Sequence, residues 1–247
     1  MRNLLILLLL AAVTTFAAAK DLPVFIKVCK KNDPNVEACI QDSVENLKPF
    51  LMRGLPEYNI PSLEPLLLKE LVATEGTGGI RITARNVRAY GASDFSITRL
   101  KVDLEEQKFA VDIALPHLHM EGNYEIDGRV LLLPIRGSGP MSGNFSECTG
   151  AVRFRGVVEK NEADEDHLKI SEFRLKISIG RGRLHLDNLF GGERVLGDVI
   201  NSAINSNFDT FIRELQPLVE NVLSDAFLEI ANSIVGQFTY QQLFPEK

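Results

Sequence analysis

His117 and His119 stand two positions apart in "LPHLHMEG", a spacing that on a β-strand turns both imidazoles to one face, where a metal can take them as ligands. No third His or Cys adjoins them, and Leu118 and Met120 take the inward phase, so solvent-facing histidines are expected. Asp164, Glu165 and Asp166 offer calcium oxygen donors beside His167. Their spacing fits no EF-hand loop, and a solvated turn is the expectation. Ser138 and Ser142 each lack the glycines of G-x-S-x-G, which removes the hydrolase nucleophile elbow. "GSGPMSG" contains G-x-G after an apolar run, but Pro140 and the residues after it open a helix poorly. A glycine-rich connection between strands is expected there, not a phosphate cradle. No catalytic residue, metal or cofactor is assigned, and the chain does not read as an enzyme.

Cys29 and Cys39 flank the polar stretch "KKNDPNVEA" and can close a small disulfide ring, worth about 2–3 kcal/mol in the chain-entropy model. Cys148 is left over, either as a reactive thiol or, more commonly for such a residue, as a buried inert one. Asn144-Phe145-Ser146 is an N-x-S sequon that can carry a glycan if its segment is an exposed loop.

Residues 1–19 read as a secretory signal peptide: Arg2, the apolar block Leu4 to Val13, then Ala17, Ala18 and Ala19 before Lys20-Asp21. The apolar block is shorter than the ~20 residues a membrane anchor needs. Cleavage after Ala19 would release residues 20–247 as one secreted extracellular domain, in which a disulfide is permissible. The formal net charge of −6 argues against nucleic-acid partners and against attraction to anionic membranes. No stable membrane insertion is expected, and the domain is read as a monomer.

The elements that position these residues follow from periodicity. Val36, Ile40, Val44, Leu47 and Leu51 recur at helical spacing between Pro34 and about Met52, with Asp33 as cap. "GLPEYNIPSLEPLLLKEL" follows, broken by prolines, its apolar run expected to make one or two helical turns. From Gly79 to about Leu189 the period is two. This predicts long antiparallel strands, with Asp127-Gly128 as a hairpin signal and an α+β fold without βαβ units.

From Arg194 to Val235 an apolar ladder runs Leu196, Ile200, Ile204, Phe208, Ile212, Leu215, Val219, Leu223, Phe227, Ile230 and Ile234. Its mean step exceeds the helical repeat, so the stripe drifts roughly 200° around the cylinder. A flat sheet cannot cover such a stripe, whereas a strongly twisted or wrapped one can. The helix would be about 57 Å long against a domain about 45 Å across, which predicts an elongated molecule. Pro217 should kink it, the alternative being two helices meeting at Gln216.

Three blocks resemble the takeout and juvenile-hormone-binding-protein family of secreted insect proteins: "GLPEYNIPSLEPLLLKEL", "LPHLHMEGNYEIDGRVLLLPIRGSGP", and "LDNLFGGERVLGDVINSAINSNF" leading through "ELQPLVENVL" to "QLFPEK". With Cys29 and Cys39 included, the likeness spans nearly the whole chain after residue 19. It implies a highly curved antiparallel sheet wrapped around a long C-terminal helix, enclosing an apolar tunnel. It also implies carriage of small lipids such as juvenile hormones or fatty acids in a haemolymph-like fluid, with circadian, feeding and courtship roles among takeout-like members. Moth-type hormone carriers close a second disulfide. Here only Cys148 remains, which places the chain nearer the takeout branch.

The leading expectation is therefore a carrier for one small hydrophobic ligand. Its tunnel would be lined by Phe95, Leu100, Val111, Ile113, Leu133, Ile204, Phe208, Phe211 and Leu215, all apolar at the inward phase, with Tyr124 as the foremost inward hydroxyl and Tyr90 and Tyr58 behind it. The alternative is an interaction protein with a solid core that presents a surface to a protein receptor. A hormone-ester hydrolase ranks third, for want of a nucleophile.

Overall fold

The computed structural model describes residues 20–74, 79–130 and 133–246, with Leu133 described by its backbone alone. The expected signal peptide lies outside the described residues.

Helix α1 (Val36–Leu51) forms where the apolar residues recur at three and four. The Asp33 carboxylate accepts from the Asn35 N–H at 2.8 Å just before its start. A disulfide joins Cys29 to Cys39, and the Ser43 hydroxyl donates to the Lys27 carbonyl at 2.7 Å. The segment preceding α1 is thus fastened back along it.

Six strands make one antiparallel sheet among the described residues: β1 (Leu66–Thr74), β2 (Arg81–Tyr90), β3 (Ser96–Asp103), β4 (Lys108–Val130), β5 (Leu133–Lys160) and β6 (Asp166–Leu186). Their order is β1-β2-β4-β5-β6, with β3 beside the first half of β4 and β2 beside the second. Three local expectations are corrected. The run Leu66–Leu68 opens β1 instead of making helical turns, because it alternates: Leu66 and Leu68 are buried while Leu67 is exposed. Asp127-Gly128 lies inside β4, which stays paired to β5 out to Val130 and Leu133. A Cβ at Gly128 would stand 2.6 Å from the Ile80 Cα, so close backbone approach, not a turn, requires glycine. "GSGPMSG" likewise lies within β5, where a Cβ at Gly137 would sit 2.9 Å from the Leu189 Cα and from the Tyr124 hydroxyl.

The 23 residues of β4 and 28 of β5 would reach roughly 75 and 90 Å if straight. They exceed the helix they cover and coil about it, as twisted strands do. Their inner face changes phase midway. Phe109, Val111, Ile113 and Leu115 face inward on β4, and after Pro116 so do Leu118, Met120, Tyr124 and Ile126. Glu147, with φ 57°, is the matching irregularity on β5, and Gly180 on β6 leaves room where a Cβ would meet the Glu147 Cβ at 2.7 Å. One transverse row therefore divides the sheet into two halves.

The long helix divides at the same level, into α2 (Arg194–Ser206) and α3 (Phe208–Val235). The break falls at Asn207, not at Pro217 or Gln216. Asn207 leaves helical geometry at φ −124°, ψ 33°, and its side-chain amide donates to the Ala203 carbonyl at 3.0 Å, competing with the backbone ladder. Pro217 stays within continuous α3 because it and Arg213, whose carbonyl loses its partner, are both exposed and reach water. A short α4 (Tyr240–Leu243) follows, with Thr239 and Gln242 in a reciprocal capping box.

A polar ladder along α2 and α3 fastens them to the open edge of β6. Asn201 accepts from the Leu186 N–H and donates to its carbonyl, both at 2.9 Å. Asn205 does the same at Leu184, and Asn232 at Ile170. Between them Gln216 donates to the Ile177 carbonyl, Glu220 accepts from the Ile177 N–H, and Ser224 accepts from the Leu175 N–H. Side-chain amides thus stand in for a further strand and close the edge. The opposite edge comes round to the same helix, Leu66 and Leu68 of β1 packing in one cluster with Leu223 and Phe227.

Candidate ligand-binding cavity

The two halves of the inner face are filled differently. Beyond the Pro116–Glu147–Gly180 row, Tyr124, Ile126, Val130, Ile135, Leu186 and Leu189 close on Ile200, Ile204, Phe211 and Leu215 in one buried cluster. Phe208 fits over Gly182 and joins Phe145 and Cys148 in a second. Five expected lining residues therefore sit in packed core: Tyr124, Ile204, Phe208, Phe211 and Leu215. The Tyr124 hydroxyl donates to the Asp187 carbonyl at 2.6 Å, and burial pushes its pKa up to about 12. Tyr90 donates to Glu121 and Tyr58 stacks on Phe238, and neither tyrosine lines the apolar cavity described next.

On the other side of the row lies an apolar cavity of about 280 Å³. Phe109, Phe154 and Phe173 form its floor as a row of stacked rings, centroids 4.6 and 6.0 Å apart, on three adjacent strands. Ile40 and Val44 of α1, Ala231 and Val235 near the end of α3, and Leu243 and Phe244 at α4 form its walls. Leu22, Ile26, Val28 and Cys29 of the fastened N-terminal segment complete it. Of the expected lining residues, none of the nine whose side chains are described borders this space. The displacement has a physical cause: inward phase marks both a filled and an unfilled half, and only the packing partner distinguishes them. Leu100, Val111 and Ile113 do lie on the cavity's side of the row, half-buried on strand positions adjoining Phe109. Phe95 is half-buried beneath Lys48 of α1, whose ammonium lies 4.8 Å from its ring. For Leu133 only the pairing with Val130 is described.

The residues that close the cavity are ones whose role periodicity alone does not distinguish. Phe154 and Phe173 align with Phe109 through strand register, and Leu243 and Phe244 arrive from the last residues of the chain. The alternating pattern around all three phenylalanines was the available signal.

Two larger hollows, of about 440 and 570 Å³, lie elsewhere: the first is lined by polar and charged side chains with Leu184, the second by charged side chains together with Val102, Ala110, Phe109 and Phe154. Asn144 borders the first. It is exposed in the middle of β5, not on a loop, and its side-chain oxygen lies 3.0 Å from His119 Nδ1. His117 is exposed, and Asp164 pairs with Lys160 at 2.7 Å in the acidic turn. Cys148 is buried and free, and burial raises its thiol pKa. No helix among the described residues is long and apolar enough to cross a membrane.

A partly open apolar recess between a wrapped sheet and a terminal helix is a geometry that can hold a hydrophobic guest. Comparison with known proteins agrees. The chain is similar to the circadian clock-controlled protein daywake of Drosophila melanogaster, 23% identical over 239 residues, covering 93% of this chain and 91% of that one. The Drosophila yakuba daywake is 23% identical, at 92% and 90% coverage. The crystal structure of Epiphyas postvittana Takeout 1 shares the fold, with a TM-score of 0.72 at 22% identity over 89% of this chain and all of that one. Residues 5–245 match the family model of haemolymph juvenile hormone binding protein, and the chain belongs to that family of ligand-binding carriers.

Proposed function

We propose that this protein is a secreted carrier that holds one small hydrophobic molecule, a juvenile-hormone-like terpenoid or a fatty-acid-like lipid, in the cavity above Phe109, Phe154 and Phe173. The observation that carries the reading is the cavity's chemistry. Its polar liners Lys27 and Ser43 are already engaged, Lys27 with Asp42 at 2.9 Å and Ser43 with the Lys27 carbonyl, so apolar contact selects the guest. A cavity of about 280 Å³ is nearly twice the ~150 Å³ that holds benzene and suits roughly a dozen heavy atoms. At ~0.8 kcal/mol per buried methylene the gross gain is on the order of 9 kcal/mol, before the cost of association.

Leu100, Val111 and Ile113 extend the apolar floor beyond the cavity and are assigned to a longer guest. The clock-controlled naming of the Drosophila relatives supports a role in circadian, feeding or behavioural signalling. Solvent extraction of the purified protein with mass spectrometry tests carriage. One lipid species in near-stoichiometric amount is expected; a chain that comes off empty and displaces no fluorescent fatty probe contradicts it.

A further inference from the structure

The turn beside the cavity is built from residues that avoid water. The Ile26 N–H donates to the Pro23 carbonyl at 2.9 Å, which places Val24 and Phe25 at the two central positions. Exposed turns are the usual place for Gly, Asn, Asp and Ser, whose backbones or side chains satisfy the bend. Here Val24 is wholly exposed, and Phe25 stacks on Phe50 at 4.1 Å with both rings still 37% exposed. Leu22 and Ile26, on either side of this apex, line the cavity, and Val28 lines it while remaining 40% exposed. The apolar apex and the cavity wall are thus one short piece of chain.

Charge on that piece departs from the rest of the protein. Residues 20–31 hold four lysines and one aspartate, a local charge of +3 in a chain of −6. Among the described residues only Lys27 meets a carboxylate, Asp42 at 2.9 Å. Lys20 and Lys31 lie over the rings of Tyr58 and Tyr240 at 5.5 and 5.7 Å, which leaves their charge unneutralised, and Lys30 is exposed. Apolar side chains at an apex flanked by lysines match an anionic lipid surface: the apex enters the headgroup boundary while the ammonium groups meet lipid phosphates. The net charge of the whole chain does not report on this, because interactions beyond a Debye length of about 8 Å are screened at physiological salt.

We propose that the Pro23–Ile26 turn is a reversible docking tip for anionic phospholipid membranes, which sets the cavity mouth against the lipid. Its purpose rests on the carrier reading, whereas the docking itself does not. The test is co-sedimentation with vesicles of phosphatidylcholine alone and of phosphatidylcholine mixed equally with phosphatidylglycerol. Binding to the mixed vesicles, weakened by salt, is expected. Val24→Ser with Phe25→Ser should reduce it tenfold or more, and Lys30→Gln with Lys31→Gln roughly five-fold per lysine. Both variants should stay folded, with only a small fall in melting temperature from the lost Phe25–Phe50 stack and Lys31–Tyr240 contact, and bind a fluorescent fatty probe normally without vesicles. If the native protein binds vesicles but no probe, the carrier reading fails and docking stands. Docking is overturned by equal affinity for the two vesicle types, by no binding to either, or by wild-type binding in the Val24/Phe25 variant. It is equally overturned if that variant abolishes self-association in sedimentation while vesicles are ignored, since the tip would then be a contact between copies.

Discussion

Glu220 is only 2% exposed, yet it accepts from the Lys176 ammonium at 2.5 Å, the Gln216 amide at 2.7 Å and the Ile177 N–H at 3.0 Å. Burial raises its pKa, but these donors outweigh burial and hold the carboxyl below its ordinary value of 4.5. A depressed folded pKa stabilises fully above the ordinary glutamate range and loses that contribution as pH falls through the folded value. Glu220→Ala should cost about 1–3 kcal/mol at neutral pH, because it strands the Ile177 N–H, while the Gln216 amide keeps the Ile177 carbonyl and the exposed Lys176 ammonium turns to water. Glu220→Gln should cost less and flatten the acid limb of a stability curve measured by denaturant titration against pH. Gly182 makes a steric case at the same scale. A Cβ there would lie 2.1 Å from the Phe208 ring, so Gly182→Ala should lower stability by about 1–3 kcal/mol, read as a fall in melting temperature.

The long helices are held by amides as much as by apolar contact. Asn201, Asn205 and Asn232 each pair both backbone groups of one residue on β6. Replacing Asn232 by Ala should leave the Ile170 N–H and carbonyl without partners, at about 1–3 kcal/mol each where water does not reach them. Hydrogen exchange should then accelerate at Ile170 while Leu186, served by Asn201, keeps its protection. The apolar ladder was legible because its spacing is helical. This second ladder is not legible in sequence, since Asn, Gln, Glu and Ser on a helix look like a solvated face until the edge strand is placed beside them. Reduction of Cys29–Cys39 belongs to this scale too. It should cost about 2–3 kcal/mol from loop closure alone, measurable by urea unfolding with and without reductant.

The whole molecule is a wrapped sheet with a solid half and a hollow half, divided where Pro116, Glu147 and Gly180 shift the phase of three strands. Strand alternation made the curved sheet and its helix legible, and the quoted blocks made the family legible. The location of the cavity was not, because inward-facing Phe208 and inward-facing Phe154 carry the same pattern in sequence. What separates them is whether an opposing surface closes in: Gly182 admits the Phe208 ring, whereas α1 and α4 stand off from Phe154. The most direct test is titration of a fluorescent fatty probe into the native protein and into Ala231→Trp, which fills the hollow half from α3. Saturable binding of one probe per chain, weakened at least tenfold by the tryptophan at unchanged melting temperature, is the predicted result. Equal affinity in both proteins would contradict a guest seated above Phe109, Phe154 and Phe173.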